Sequence, residues 1–376
     1  MVVYIITFLI TSIFLYLARR YYVSYCNYKD YYIDYRTVNN IKRYHDYYIR
    51  YVITISIAIL ILGTVTGLRS SDVGTDLNYT YFPNFYKILH GSMNEYTEIG
   101  FTYFNKFIQL FSSNAQTLTF VTSLIFAGSL SRISVKYSRN VFISLLAVFL
   151  STIFFVSLNN VRQSLACIIM LEAYPFIVDN KLVKFIITVL IASIFHITAL
   201  LMIPIYFVVN NKFIRKYLLT CAIVGTILIP IIAKLALILI SHTKYNYFLI
   251  SEFNNGESNK LNILYGFIYL VLALYCLYKE RNVKKEGYVL LCMQFFNFWV
   301  SFLSLFIPVS EMISRIANYF IAYHIIMIPY IYNREYSKKG KIAILAFYTL
   351  TYGAYMIYFI VLKGYHQVLP FSWCFK

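Results

Sequence analysis

Residues 182–209 read LVKFIITVLIASIFHITALLMIPIYFVV, an apolar stretch interrupted at Ser193, His196 and Thr198 and flanked by the basic segments 181–184 and 212–216. A single straight helix over this stretch would rise about 42 Å, against a hydrocarbon core of about 30 Å. It would also carry its two basic flanks to opposite sides of a bilayer. Two helices of about 13 residues meeting near His196 keep both flanks on one side, which basic loops favour. The stretch therefore predicts a broken hairpin, its tip at His196 inside the outer leaflet. Broken backbone is tolerated at that depth only where protein or a water-filled cavity surrounds it.

The rest of the chain follows the same alternation. Of its 376 residues 60% are hydrophobic and 13% charged, and the mean hydropathy is +0.66. That composition excludes a soluble globular domain. Apolar runs at 2–18, 49–68, 115–131, 140–157, 161–178, 217–240, 262–278, 287–307, 315–332 and 342–362 are each near the length of a membrane span. With the hairpin counted as two, the prediction is an all-α polytopic integral membrane protein of about twelve transmembrane helices. Both termini are expected outside, and residues 1–376 form a single transmembrane domain. The first apolar run is followed by Arg19 and Arg20 with no basic residue before it, so it reads as a retained span rather than a cleaved signal. The cytoplasmic loop is 19–50 and the main outer loop 69–114. Within the latter, Thr75–His90 and Glu98–Phe111 mix apolar and polar residues at helical spacing and predict amphipathic helices on the outer membrane surface.

The formal charge of +18 does not point to nucleic acid, because 23 of the 33 Lys and Arg residues fall in six loops assigned to one side. That is the bias of a cytoplasmic face. Cys167, Cys221, Cys276 and Cys292 lie inside apolar runs and read as small hydrophobes. No metal-ligand spacing, phosphate-binding glycine loop or nucleophile elbow occurs, so neither a metal nor a cofactor is expected.

Few charges remain on the outer side. Arg69, Asp72 and Asp76 follow the second span, Arg162 opens the fifth in Asn159-Asn-Val-Arg-Gln163, His196 marks the hairpin tip, and Glu311 and Arg315 open the eleventh. An arginine at a helix N-terminus faces the positive end of the helix dipole, an arrangement that becomes favourable once an anion binds. Arg162 and Arg315 are both expected there, and the planar guanidinium fork suits phosphate. Asp72, Asp76 and His196 are the groups able to act as a general base. Asn318 and Tyr319 follow Arg315 on the same helical face.

These residues carry a resemblance. Arg69 with Val73-Gly-Thr-Asp76 and Tyr79, Glu98-Ile-Gly-Phe101, Asn160-Val-Arg-Gln163, Ala192-Ser-Ile-Phe-His-Ile-Thr-Ala199, Ser314-Arg-Ile-Ala-Asn-Tyr319 and Val368-Leu-Pro-Phe371 occur in order along nearly the whole chain. In this the sequence resembles the EpsG/Wzy-like family of bacterial surface-polysaccharide polymerases, departing from it where Pro-Phe replaces Pro-Tyr in the last element. The resemblance implies an O-antigen-type polymerase of the inner membrane, its active site facing the periplasm. Its donor and acceptor would be oligosaccharide units on undecaprenyl pyrophosphate. Membrane lipids surround it, and a chain-length regulator protein is a further expected partner.

On this reading Arg69, Arg162 and Arg315 bind the donor pyrophosphate, and His196 or Asp76 deprotonates the acceptor hydroxyl. Asp72, Glu98, Asn159, Gln163, Asn318 and Tyr319 contact the substrates. A flippase for lipid-linked sugars would need charges reachable from both sides and commonly shows repeated halves; the residues here cluster on one side. A glycan ligase shares the chemistry and differs only in acceptor.

Overall fold

The computed structural model describes residues 1–34, 38–92, 98–243, 246, 249, 260–278, 284–307 and 309–375. Among them every regular element is helical apart from one isolated bridge between Arg69 and Trp373. In order these are α1 (Val2–Asp34), α2 (Val38–Gly67), a π-turn (Leu77–Tyr81) running into α3 (Phe82–Leu89), α4 (Ile99–Gln109), α5 (Gln116–Lys136), α6 (Val141–Leu150), α7 (Ile153–Asn159) and α8 (Val161–Glu172). Then follow α9 (Tyr174–Val178), α10 (Leu182–Phe195), α11 (Met202–Asn210), α12 (Lys212–Lys216), α13 (Leu218–Ser241), α14 (Lys260–Tyr278) and α15 (Lys285–Leu303). Next come α16 (Ser310–Ile321), α17 (His324–Arg334) and α18 (Lys338–Met356), which runs on into a π-turn (Ile357–Leu362) and is followed by a 3-10 turn (Tyr365–Gln367). Parts of the loops 19–50 and 279–285, and the side chains of Cys276 and Glu311, lie outside the described residues.

Five helices among the described residues are long and apolar enough to cross a membrane: Val2–Lys29, Lys42–Gly67, Gln116–Lys136, Leu218–Ser241 and Lys338–Leu362. A sixth is counted if α6 and α7, bent by 57° at their junction, form one span. This is fewer than the twelve expected from the sequence, for a physical reason. Several apolar runs of spanning length are pairs of short helices. The run 140–157 breaks at Thr152, which sits at φ 66°. The run 161–178 breaks between α8 and α9, where Pro175 cannot continue the hydrogen-bond ladder. The run 315–332 is shared between α16 and α17. Hydropathy registers the apolar length and is blind to such breaks.

The chain divides into two compact units, the first comprising Met1–Glu172, Ile194–Ile197 and His324–Lys376, the second Ala173–Ser193 and Thr198–Tyr323. In the first unit α1 and α2 are longer than a bilayer requires, and much of the expected loop 19–50 is helix. They pair antiparallel through tyrosines, Tyr22 on Tyr51, Tyr25 on Tyr48 and Tyr28 on Tyr47, with ring centroids 5.3–5.5 Å apart. On α2, Gly63 and Gly67 lie one turn apart, and a Cβ at either would stand 2.6 Å from Leu124 Cδ2 or 2.9 Å from Phe120 Cα. Small residues at that spacing let two helix backbones approach where lipid supplies no hydrophobic drive. The two amphipathic helices expected within 69–114 form as the π-turn with α3 and as α4. They bury Leu77, Tyr81, Phe85, Phe101 and Ile108 against Leu118 of α5 and Val161 and Leu165 of α8. Opposite, Ile99, Tyr103, Phe107 and Phe111 make an exposed apolar stripe.

The 182–209 stretch, whose Ile194–Ile197 belongs to the first unit and whose remainder belongs to the second, turns back on itself. Phe185 of α10 packs on Tyr206 of α11 with centroids 4.8 Å apart, whereas a continuous helix would hold residues 21 apart about 31 Å from each other. The break falls at His196, between α10 and a short 3-10 turn over Ile197–Leu201. Elsewhere in the second unit Trp299 of α15 donates its Nε1–H to Thr226 Oγ1 of α13 at 2.9 Å.

Candidate active site

The turn after α2 is built around Arg69, whose side chain is buried. Its guanidinium donates to Leu158 O at 2.8 Å, Val73 O at 3.3 Å, Ser123 Oγ at 3.3 Å, and Thr66 O. Five donors in a planar fork let one side chain satisfy several carbonyls that lie outside regular helix. Burial pulls this guanidinium down to about 10, which leaves it charged at neutral pH. In the same turn Gly74 adopts φ +100°, and a Cβ there would stand 2.7 Å from Leu158 O, so a side chain is excluded by both conformation and space. Asp72 is exposed and accepts from Ser70 Oγ at 3.1 Å and Asn78 Nδ2 at 3.0 Å.

Asn159, at the end of α7, fastens the other side of the turn. Its Oδ1 accepts the Asp76 amide at 2.8 Å and the Thr75 hydroxyl at 3.1 Å. Its Nδ2 lies 2.8 Å from His366 Nδ1 and 3.1 Å from Asn160 Oδ1. Asn159 and Gln163 are both buried.

The chemically most suggestive cluster centres on Glu98, the residue preceding α4. One carboxylate oxygen, Oε2, accepts from Arg162 Nη1; the other, Oε1, lies 2.9 Å from His196 Nδ1. The side chains of Glu98, His196 and Arg162 are 13%, 14% and 21% exposed, so water screens this trio only weakly. Burial would raise the Glu98 pKa, but the His196 hydrogen bond and the Arg162 charge outweigh it and hold it down to about 2. An ionised carboxylate only accepts hydrogen bonds, so the Nδ1 that faces it carries a proton, which turns Nε2 away from Glu98.

Local packing explains how the three residues meet. Arg162 is the second residue of α8; its amide donates to Tyr81 Oη at 3.3 Å, and its guanidinium lies over the Tyr81 and Phe101 rings at 6.0 and 5.8 Å. Burial, first, and the Asp76 charge push the Tyr81 phenol up while Arg162 opposes them. The hairpin tip seats against α4: Phe195 packs on Phe104 at 5.5 Å, and a Cβ on Gly100 would come within 1.9 Å of Ile194 Cγ2. Only a glycine at 100 lets the tip approach closely enough for His196 to reach Glu98.

The expected site residues thus divide. Glu98, Arg162 and His196 belong to one cluster in the first unit, while Arg69 and Asn159 in the same unit are committed to backbone and loop groups and Asp76 is held through its amide by Asn159. In the second unit Arg315 lies well inside α16 rather than at its N-terminus, because the helix begins at Ser310. Asn318 is half-buried, and Tyr319 is buried with its hydroxyl 3.2 Å from Thr198 Oγ1. Sequence reasoning missed Tyr81, whose neighbour Tyr79 is 83% exposed, and His366. The available signal for His366 was a histidine two residues before the Val368–Phe371 element, directly after Gly364-Tyr.

The first unit thus gathers a carboxylate, an imidazole and a guanidinium beside loop backbone, a set equipped to hold an anion and to exchange a proton. The chain belongs to the EpsG family, whose profile matches residues 52–373. Membership suggests a polysaccharide polymerase-like role with glycosyltransferase-like chemistry. Comparison with curated proteins and with solved structures finds no match.

Proposed function

We propose that the protein polymerises O-antigen-type polysaccharide, joining oligosaccharide units carried on undecaprenyl pyrophosphate at the periplasmic face of the inner membrane. The observation that carries this reading is the Glu98 carboxylate shared by Arg162 and His196. An anion-binding group and a base of defined tautomer on one carboxylate is the equipment a glycosyl transfer with a pyrophosphate leaving group needs. The acceptor sugar hydroxyl attacks the anomeric carbon of the donor. Its proton passes to His196 Nε2, the carbon–oxygen bond to pyrophosphate breaks, and the lipid pyrophosphate departs with the electron pair. Arg162, aided by the positive end of the α8 dipole, stabilises the charge developing on that leaving group. A single displacement inverts the anomeric centre. Asp76 is the second acid of the site, in contact with the acceptor or serving as the base in place of His196. The short apolar helices α10, α11 and α14 would complete the membrane crossings beyond those long enough to span alone. The substrate roles of Arg315, Asn318 and Tyr319 rest on the sequence reading and are tested with the rest.

The test is gel profiling of surface glycan in a deletion strain complemented with Arg162→Ala, His196→Ala or Arg315→Ala. A polymerase defect leaves one repeat unit on the surface and no ladder. A normal ladder from Arg162→Ala and His196→Ala at normal protein level sinks the assignment. Repeat units accumulating on the cytoplasmic side would instead identify a flippase.

A further inference from the structure

The C-terminal segment after α18 is not a loose end. It crosses the 68–76 turn as a strap. Cys374 N donates to Leu68 O at 2.8 Å, Ser70 N to Ser372 O at 2.8 Å, and Gly74 N to Gln367 O at 3.1 Å. The Tyr4 hydroxyl holds the strap from the other side, donating to Val368 O at 3.1 Å. Within it, His366 and Gln367 are consecutive non-glycine residues at φ 64° and 50°. Such backbone persists where its surroundings over-determine it, and it recurs at functional sites. Here it delivers the His366 ring to Asn159, with Nδ1 2.8 Å from Nδ2.

We propose that His366 is a positioning residue for Asp76, acting through Asn159. An amide side chain can present either its oxygen or its nitrogen in a given direction. Asn159 must present Oδ1 to the Asp76 amide and the Thr75 hydroxyl, which requires acceptors on its Nδ2 side. Those acceptors are His366 Nδ1 and Asn160 Oδ1. His366 therefore sets the amide orientation, and the amide holds the Asp76 backbone and with it the start of the π-turn that carries Tyr81. None of this needs His366 to touch substrate. The inference rests on the proposed reaction for its consequence in catalysis, but its structural content is separate from it.

Two variants and two readouts test it. His366→Gly removes the acceptor while suiting the left-handed backbone. His366→Asn restores an acceptor oxygen about where Nδ1 sits, in a residue that tolerates the same backbone. Hydrogen exchange of the 70–80 segment in purified protein reads the loop directly, and ladder formation reads its consequence. His366→Gly should exchange faster at 70–80 alone and make about tenfold less polymer; His366→Asn should return both toward wild type. If His366→Gly does not accumulate in the membrane, His366→Ser, whose hydroxyl ends short of Asn159, takes its place. Unchanged exchange in the acceptor-less variant overturns the proposal, as does an Asn variant as defective as the Gly variant. If exchange behaves as expected while Arg162→Ala and His196→Ala still build a ladder, the proposed reaction fails and the positioning role stands.

Discussion

Replacing Glu98 by glutamine separates the two duties of its carboxylate, since an amide of the same shape has one accepting end and one donating end. If the oxygen faces His196 Nδ1, the amide nitrogen opposes a donor of Arg162, whose guanidinium is left without its counter-charge. If the oxygen faces Arg162, the amide donates toward Nδ1. The imidazole must then move its proton to Nε2 and can no longer act as a base there. Breaking one partner of a fully buried ion pair costs about 3–5 kcal/mol, and with 21% of the Arg162 side chain exposed we expect about 2–4 kcal/mol here. Loss of a correctly oriented base costs about 10²–10⁴ in rate, so polymer should fall by that range. Thermal unfolding in detergent measures the first quantity and densitometry of the glycan ladder the second. A double-mutant cycle with Arg162→Ala isolates the pair, and the double variant should lose clearly less stability than the two single losses added. Glu98→Gln with wild-type stability and a wild-type ladder would refute the argument, because neither orientation of the amide reproduces the carboxylate.

Other consequences are equally open to measurement. Gly100→Ala should cost about 1–3 kcal/mol by overpacking against Ile194 and reduce polymer by unseating His196, with partial recovery in Gly100→Ala combined with Ile194→Ala. Because the folded pKa of Glu98 is depressed from 4.5 to about 2, its contribution to stability is fully present above pH 4.5 and is lost as pH falls through 2. Melting temperatures of wild type and Glu98→Gln should therefore differ at neutral pH and converge in strong acid. Arg69→Lys should destabilise by about 1–3 kcal/mol for each carbonyl left unsatisfied. Arg162→Lys should leave melting nearly unchanged but weaken polymer formation, since a lysine keeps the charge on Glu98 and loses the phosphate-matching fork.

The membrane character, the all-helical class and the break at His196 were legible in the sequence because each follows from apolar length and charge placement. The helix over Glu98–Phe111 was legible too, from the 3–4 spacing of Phe101, Phe104, Ile108 and Phe111. The span count was not. Thr152 in a left-handed conformation and Pro175 at the start of a helix cut apolar runs whose hydropathy is continuous. Of the site, the residue types were legible and their partners were not. Glu98, Arg162 and His196 lie in three separate segments, and only the closeness of Gly100 to Ile194 brings the third to the first. His366 was invisible for another reason: its use depends on two left-handed residues, and composition does not announce those.

The division among the arginines and asparagines follows from what helix breaks demand. Where a helix stops inside an apolar protein, its last carbonyls lose their partners and must find donors from elsewhere. Leu158 O, near the end of α7, finds Arg69 Nη2, and Asn159 at the same end turns its own side chain to the Asp76 amide. A sequence reading that sees a rare charge or amide beside a membrane span assigns it to substrate, although the break has first claim on it. Arg162 escapes that claim because it stands at the opening of a helix, where the groups outside the helical ladder are N–H donors that a guanidinium cannot satisfy; its own amide is met by Tyr81 Oη. Its charge is answered by Glu98, and the amides at the start of α8 are of the right polarity for an anion. The same reasoning separates His196 from His324, which is fully buried among the rings of Tyr348 and Tyr352. At His196 the backbone is broken and a carboxylate orients the ring. That is why the chemistry is placed on the pair that shares Glu98.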